Sequence, residues 1–96
     1  MNMLFIAYDA VLDAEVIEVL ELAGVAGFTK WNRVLGQGSA SGPRLDTPVW
    51  PGYNCCLMVA VDRDLTSRLH TLLTSLRTES GIDALRIFAW PVVEMS

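Results

Sequence analysis

The chain begins with an apolar and aromatic stretch, Met3 to Tyr8, that carries no helical punctuation and predicts a buried strand. From Leu12 the pattern changes. Leu12, Val16, Val19, Leu20 and Ala23 recur at i, i+4, i+7, i+8 and i+11, while Asp13, Glu15, Glu18 and Glu21 take the opposite face. That spacing predicts an amphipathic helix over Asp13 to Ala23, capped by Asp13 and ended by Gly24 in the left-handed conformation. Phe28 to Leu35 predicts a strand of mixed exposure, with Thr29, Trp31, Arg33 and Leu35 on one face and Phe28, Lys30, Asn32 and Val34 on the other. Gly36 to Asn54 is rich in Gly, Pro and Ser, lacks any sustained period and reads as a long loop. Cys55 to Val61 is another apolar strand, after which Asp62 or Asp64 caps a second helix. There Leu65, Leu69, Leu72, Leu73 and Leu76 repeat the template of the first helix, and Gly81 closes it. Ala84 to Val93 is the last strand, with Pro91 placing its far end on an edge or a bulge.

Strand, helix, strand, loop, strand, helix, strand is the order of an α+β, ferredoxin-like βαββαβ domain. Its four-stranded antiparallel sheet carries two helices on one face, because right-handed crossovers put both on the same side. A length of 96 residues fits one such domain, spanning 1–96. The first, third and fourth strands are apolar on both sides, so the uncovered face of the sheet calls for burial in an oligomer. Each 100 Å² of apolar area removed from water is worth roughly 2.5 kcal/mol before association costs are subtracted.

Composition narrows the function. A hydrophobic content of 52% and a charged content of 19% exclude general disorder. A net charge of −4 argues against nucleic acid, whose binding depends on clustered Lys and Arg. The N-terminus has no basic leader, and no run approaches the roughly 20 apolar residues of a membrane span. A cytoplasmic protein without membrane insertion is expected. Cys55 and Cys56 are adjacent, so on a strand they point to opposite faces and are unsuited to pairing with each other.

Little catalytic chemistry is visible, and an enzyme is not expected. The single histidine, His70, lies on a flank of the second helix. Cys55 and Cys56 lack a metal-ligand spacing with His70; core packing is the simpler reading, and an intersubunit metal or redox role is the alternative. Gly36, Gly38 and Gly42 match neither a dinucleotide fingerprint nor a phosphate-binding P-loop. Their exposed amides could nevertheless line an anion with Lys30, Arg33 and Arg44 nearby. So long a loop in so compact a domain is uncommon unless functional. Trp50 and Tyr53 make its second half either a contact surface for a partner or a segment that packs back onto the sheet.

Three stretches resemble the PII-like signalling proteins. Arg33-Val-Leu-Gly-Gln-Gly followed by Gly42 is similar to the V-x-G-x-G start of that family's T-loop. Trp50-Pro-Gly leading to Leu57-Met-Val-Ala-Val is similar to the end of the loop in divergent members. Arg86-Ile-Phe-Ala-Trp-Pro-Val-Val-Glu resembles the family's K-I-F-V-x-P-V-E ending, with Arg86 at the place of a lysine that contacts nucleotide phosphate. Where nucleotide-binding members carry T-G-x-x-G-D-G-K, this chain has Gly81 and Asp83 in rough register and Leu85 in place of the last glycine. The resemblance implies a homotrimeric regulator that senses a small ligand, an adenine nucleotide or a small anion, at subunit clefts. It would contact a protein target, such as a membrane transporter or an enzyme, through the loop 36–54. Ligand contacts are expected from Lys30, Arg33, Gly36, Gly38, Arg44 and Arg86, and partner contacts from Trp50 and Tyr53. The alternative with the same fold is a CutA-like metal-binding or metal-tolerance trimer that recruits Cys55 or Cys56 together with Met58.

Overall fold

A computed structural model describes residues 1–38, 42–49 and 51–96. Strand β1 (Asn2–Asp9) runs into a single 3₁₀ turn (Ala10–Leu12) and helix α1 (Asp13–Ala23), followed by β2 (Thr29–Val34). Two short strands, β3 (Gly36–Gly38) and β4 (Gly42–Arg44), precede β5 (Asn54–Val61), helix α2 (Arg63–Ser80) and β6 (Leu85–Pro91). The main sheet has the order β2-β5-β1-β6, with every pair antiparallel. This is the expected α+β, ferredoxin-like arrangement, and β6, with Pro91 at its end, is an edge strand.

The core lies between the sheet and the helices. Leu4, Ile6 and Tyr8 of β1, alternate residues Cys55 to Val61 of β5, and Leu85 of β6 meet Leu12, Val16, Leu20, Leu69 and Leu73. These are the helical positions picked out by periodicity, and Val19, Leu65, Leu72 and Leu76 pack around them. Gly24 (φ 83°) and Gly81 (φ 72°) end their helices in the left-handed region, where a Cβ is costly. Asp62 caps α2 by accepting from Leu65 N at 2.8 Å.

Three expectations are corrected. Asp13 does not cap α1: the 3₁₀ turn starts the winding earlier, so Asp13 is already the first helical residue, Leu12 stands at the cap position, and Asp9 caps the turn by accepting from Val11 N at 3.0 Å. Strict alternation along 28–35 fails, because a bulge between Trp31 and Val34 inserts a residue against β5. Trp31 then pairs with Cys56 and Val34 with Asn54, so both face away from the helices. Finally, the segment 36–54 is not without structure, since β3 and β4 form a hairpin with Gly36 opposite Arg44 and Gly38 opposite Gly42.

The sheet face away from the helices carries Met3, Phe5, Met58, Trp31, Phe88 and Trp90, as the register requires. Trp31 is 45% exposed, Phe88 57% and Trp90 42%, so three large aromatic rings on this face meet solvent. Among the described residues no helix is long and apolar enough to cross a membrane.

Candidate functional site

At the loop end of this open face residues of the hairpin and of the sheet line an open cleft of about 360 Å³. Its floor is Phe5 and Ala7 of β1 with Cys56 of β5; Val34, Gly36 and Gly38 form one wall, and Arg44, Asn54 and Arg86 supply polar groups. Among the described residues no acidic side chain lines it.

Each arginine is placed by the fold. Arg44 ends β4, and its Nε donates to Asp9 Oδ2 at 2.9 Å, both side chains being largely buried. Asp9 is thereby used twice, one oxygen capping the 3₁₀ turn and the other anchoring the hairpin. The backbone N of Asp9 also donates to Ala84 O at 2.9 Å, which brings the approach to β6 against the same corner. Arg86 lies opposite Ala7 on the open face. Its guanidinium donates to Asp83 O at 2.7 Å, Leu85 O at 2.9 Å and Asp83 Oδ2 at 3.1 Å, contacts that hold it beside the cleft. Leu85, the residue that departs from the glycine-rich pattern, is fully buried in the core, so its side chain points away from the cleft.

A Cβ at Gly36 would stand 2.7 Å from Asn54 Nδ2, so a larger residue there would have to displace the Asn54 amide. Asn54 Oδ1 is buried and has no hydrogen-bond partner. Asn54 and Asp9 both escaped sequence reasoning. The signal for Asn54 was its place one step from Cys55, which puts it on the same face as Cys56; Asp9 was legible only as the polar residue that ends an apolar strand.

Of the six residues expected at a ligand, Gly36, Gly38, Arg44 and Arg86 converge on the cleft and Lys30 and Arg33 do not. Lys30 is opposite Leu57, on the helix side of the sheet, where its Nζ donates to Asp13 Oδ2 at 2.6 Å. Tyr8 OH donates to the other oxygen of Asp13, also at 2.6 Å. Burial and then the neighbouring Asp13 push the Tyr8 hydroxyl well above its ordinary range, so it stays a donor. For Asp13, burial pulls upward, but the hydrogen bonds from Lys30 and Tyr8 and the charge of Lys30 outweigh it and hold the carboxyl below its usual pKa. A carboxyl depressed on folding contributes stability above its unfolded pKa, near 4, and loses that contribution as pH falls through the folded value. Asp13→Ala strands the buried Tyr8 hydroxyl and is expected to cost about 2 kcal/mol at neutral pH. In urea melts taken from neutral to acid pH, the difference between variant and parent should shrink below about pH 4; a constant difference would show that the ionised carboxylate is not the cause.

Arg33 stands outside the cleft, its guanidinium 4.1 Å above the Tyr53 ring and donating to Asp46 Oδ2 at 2.8 Å. Tyr53 is thus packed within the returning loop, and its carbonyl accepts from Ala10 N at 3.1 Å. Trp50 lies outside the described residues. Cys55 is in the core, donating to Asn32 O at 3.1 Å, while Cys56 faces the open side. Burial pushes both thiols upward, with the charge of Asp13 adding to the effect on Cys55, so neither is poised as a thiolate. Among the described residues no three His, Cys, Asp or Glu side chains gather as a metal-sized cluster. His70 is exposed on α2, on the far side of the sheet from the cleft.

No family model matches the sequence, and no curated protein matches it. Solved structures do match in three dimensions. CPII, a nitrogen regulatory PII-like protein from Thiomonas intermedia, bound to ADP, AMP and bicarbonate, superposes with a TM-score of 0.76 at 19% identity, covering 93% of this chain and 82% of that one. A PII-like signalling protein from Thermus thermophilus gives 0.64 at 17% identity, covering 93% and 82%. A DUF3240 family protein from Shewanella baltica gives 0.73 at 16% identity, covering 99% and 92%. The fold of this chain is therefore that of the PII-like signalling proteins.

Proposed function

We propose that the chain is a PII-like regulatory protein, working in the cytoplasm, that binds an adenine nucleotide or a small anion in the cleft beside the hairpin. Its loop 36–54 then reports occupancy to a protein target. The observation that carries this reading is the convergence of Arg44 and Arg86 on an apolar-floored cleft that, among the described residues, no carboxylate lines. Arg44 belongs to the loop and Arg86 to the sheet, so a ligand that engages both ties the loop's position to binding. The CPII structures bound to ADP, AMP and bicarbonate, or with acetate, support ligands of this class.

The open aromatic face supports self-association, and a homotrimer is the assembly we propose, with the cleft at its subunit boundaries. Binding is tested by thermal unfolding with ADP, AMP, bicarbonate and divalent metals. A ligand at a hundred times its Kd adds about 2.7 kcal/mol, a rise of roughly 10–20 °C for a domain of this size. A rise with nucleotide or bicarbonate is expected; no response to either would overturn the sensor reading.

A further inference from the structure

On the helix side of the sheet, away from the cleft, a groove of about 390 Å³ lies between α1 and α2. Its floor is apolar: Val19, Leu72 and Leu76 are half-buried there, and Leu22 is 65% exposed. Leu22 lies off the stripe of Val16, Leu20 and Ala23 that α1 buries, so core packing does not account for it. Glu15, Glu18 and Glu79 line the same groove. Topology gathers them: β1 and β5 are antiparallel and each helix returns along the sheet from its own strand, so the start of α1 lies beside the end of α2. Glu15 and Glu18 are neighbours at i and i+3, and Glu79 stands in the last turn of α2, where the helix dipole disfavours a carboxylate. Among the described residues no basic side chain lines the groove and no ion pair engages any of the three. Arg68 donates to the Leu22 carbonyl at 3.3 Å and not to a carboxylate.

We propose that this groove docks a basic amphipathic helix of a partner protein, with its apolar side chains on Leu22, Leu72 and Leu76 and its lysines or arginines against the three glutamates. An apolar floor beside unpaired charge of one sign suits a helix that carries the opposite charge along its apolar stripe. α1 is 11 residues long, about 16 Å, which gives room for three turns of such a helix. A second copy of this chain, seated symmetrically, would set the same carboxylates against each other. The surface is separate from the cleft, so the proposal stands whether or not the cleft takes an anion.

The probe is a fluorescent peptide of about 18 residues, with leucines at i, i+3, i+4 and i+7 flanked by lysines, titrated with the full chain and followed by anisotropy. Micromolar binding is expected, with a control of the same composition and scrambled leucines weaker by roughly tenfold. Glu15→Gln, Glu18→Gln and Glu79→Gln together, and Leu22→Ser alone, should each weaken the patterned peptide by about tenfold. All four side chains are exposed, and circular dichroism checks that both variants stay folded. No binding by the patterned peptide, or equal binding by the scrambled one, would overturn the proposal. Unchanged affinity in both variants would overturn it by placing the peptide elsewhere, such as on the open aromatic face. A fall in native mass on Leu22→Ser would also overturn it, because a second copy would then be the occupant.

Discussion

Replacing Phe88 and Trp90 together by glutamate is expected to reduce the native mass from that of the proposed trimer to that of one 10.6 kDa protomer. Both side chains stand on β6 on the open face, opposite Phe5 and Met3 of β1, and both are exposed to water, as is Trp31 on the opposite edge strand β2. Burying it is worth roughly 2.5 kcal/mol per 100 Å², and two carboxylates at that position forfeit the gain and add a desolvation cost of several kcal/mol if the interface closes. Because both residues point away from the helices, the protomer core should be untouched. Light scattering gives the mass, and far-UV circular dichroism checks that the variant stays folded. A folded variant that keeps the parent's mass would place the interface elsewhere, and a parent that is already monomeric would remove the trimer altogether.

The second large effect concerns the cleft. Arg86→Gln and Arg44→Gln should each weaken binding of bicarbonate or nucleotide by about 10- to 100-fold, the loss expected when a hydrogen bond between charged groups is removed. The two variants should differ in stability. Arg86 is half exposed, whereas Arg44 holds Asp9 in a largely buried pair and anchors the hairpin. Arg44→Gln should therefore also lower the melting temperature, and Arg86→Gln should not. Lys30→Gln and Arg33→Gln serve as controls: they remove the same charge outside the cleft and should leave affinity unchanged. Equal weakening by all four variants would mean that diffuse charge, not the cleft, attracts the ligand.

Much of this molecule was legible because its signals are local. The leucine stripe of α2 and the Val16 and Leu20 stripe of α1 repeat at helical spacing, glycines end both helices, and the order of elements leaves few topologies open. Asp13 was misread for a reason that is also local. It follows apolar residues that look like a helix approach, but the 3₁₀ turn held by Asp9 starts the winding one turn earlier. The bulge in β2 could not be read, because an extra residue there reveals itself only against β5.

The sequence by itself determined the strand and helix order, the apolar face of each helix, the opposed directions of Cys55 and Cys56 and the acidic balance that disfavours nucleic acid. Each follows from composition or from a period of two or 3.6 residues, which neighbours along the chain suffice to specify. Only the tertiary structure decided which basic residues line the cleft. Lys30 and Arg33 are near the glycines in sequence, but strand pairing turns Lys30 to the helix side and Tyr53 draws Arg33 out of the cleft. Arg44 reaches the cleft through an ion pair with Asp9, 35 positions earlier, and Arg86 arrives on a strand that pairs with β1 across the whole length of the chain. Contacts of that separation are set by which strands lie side by side, and that outcome is settled by burial of the whole core.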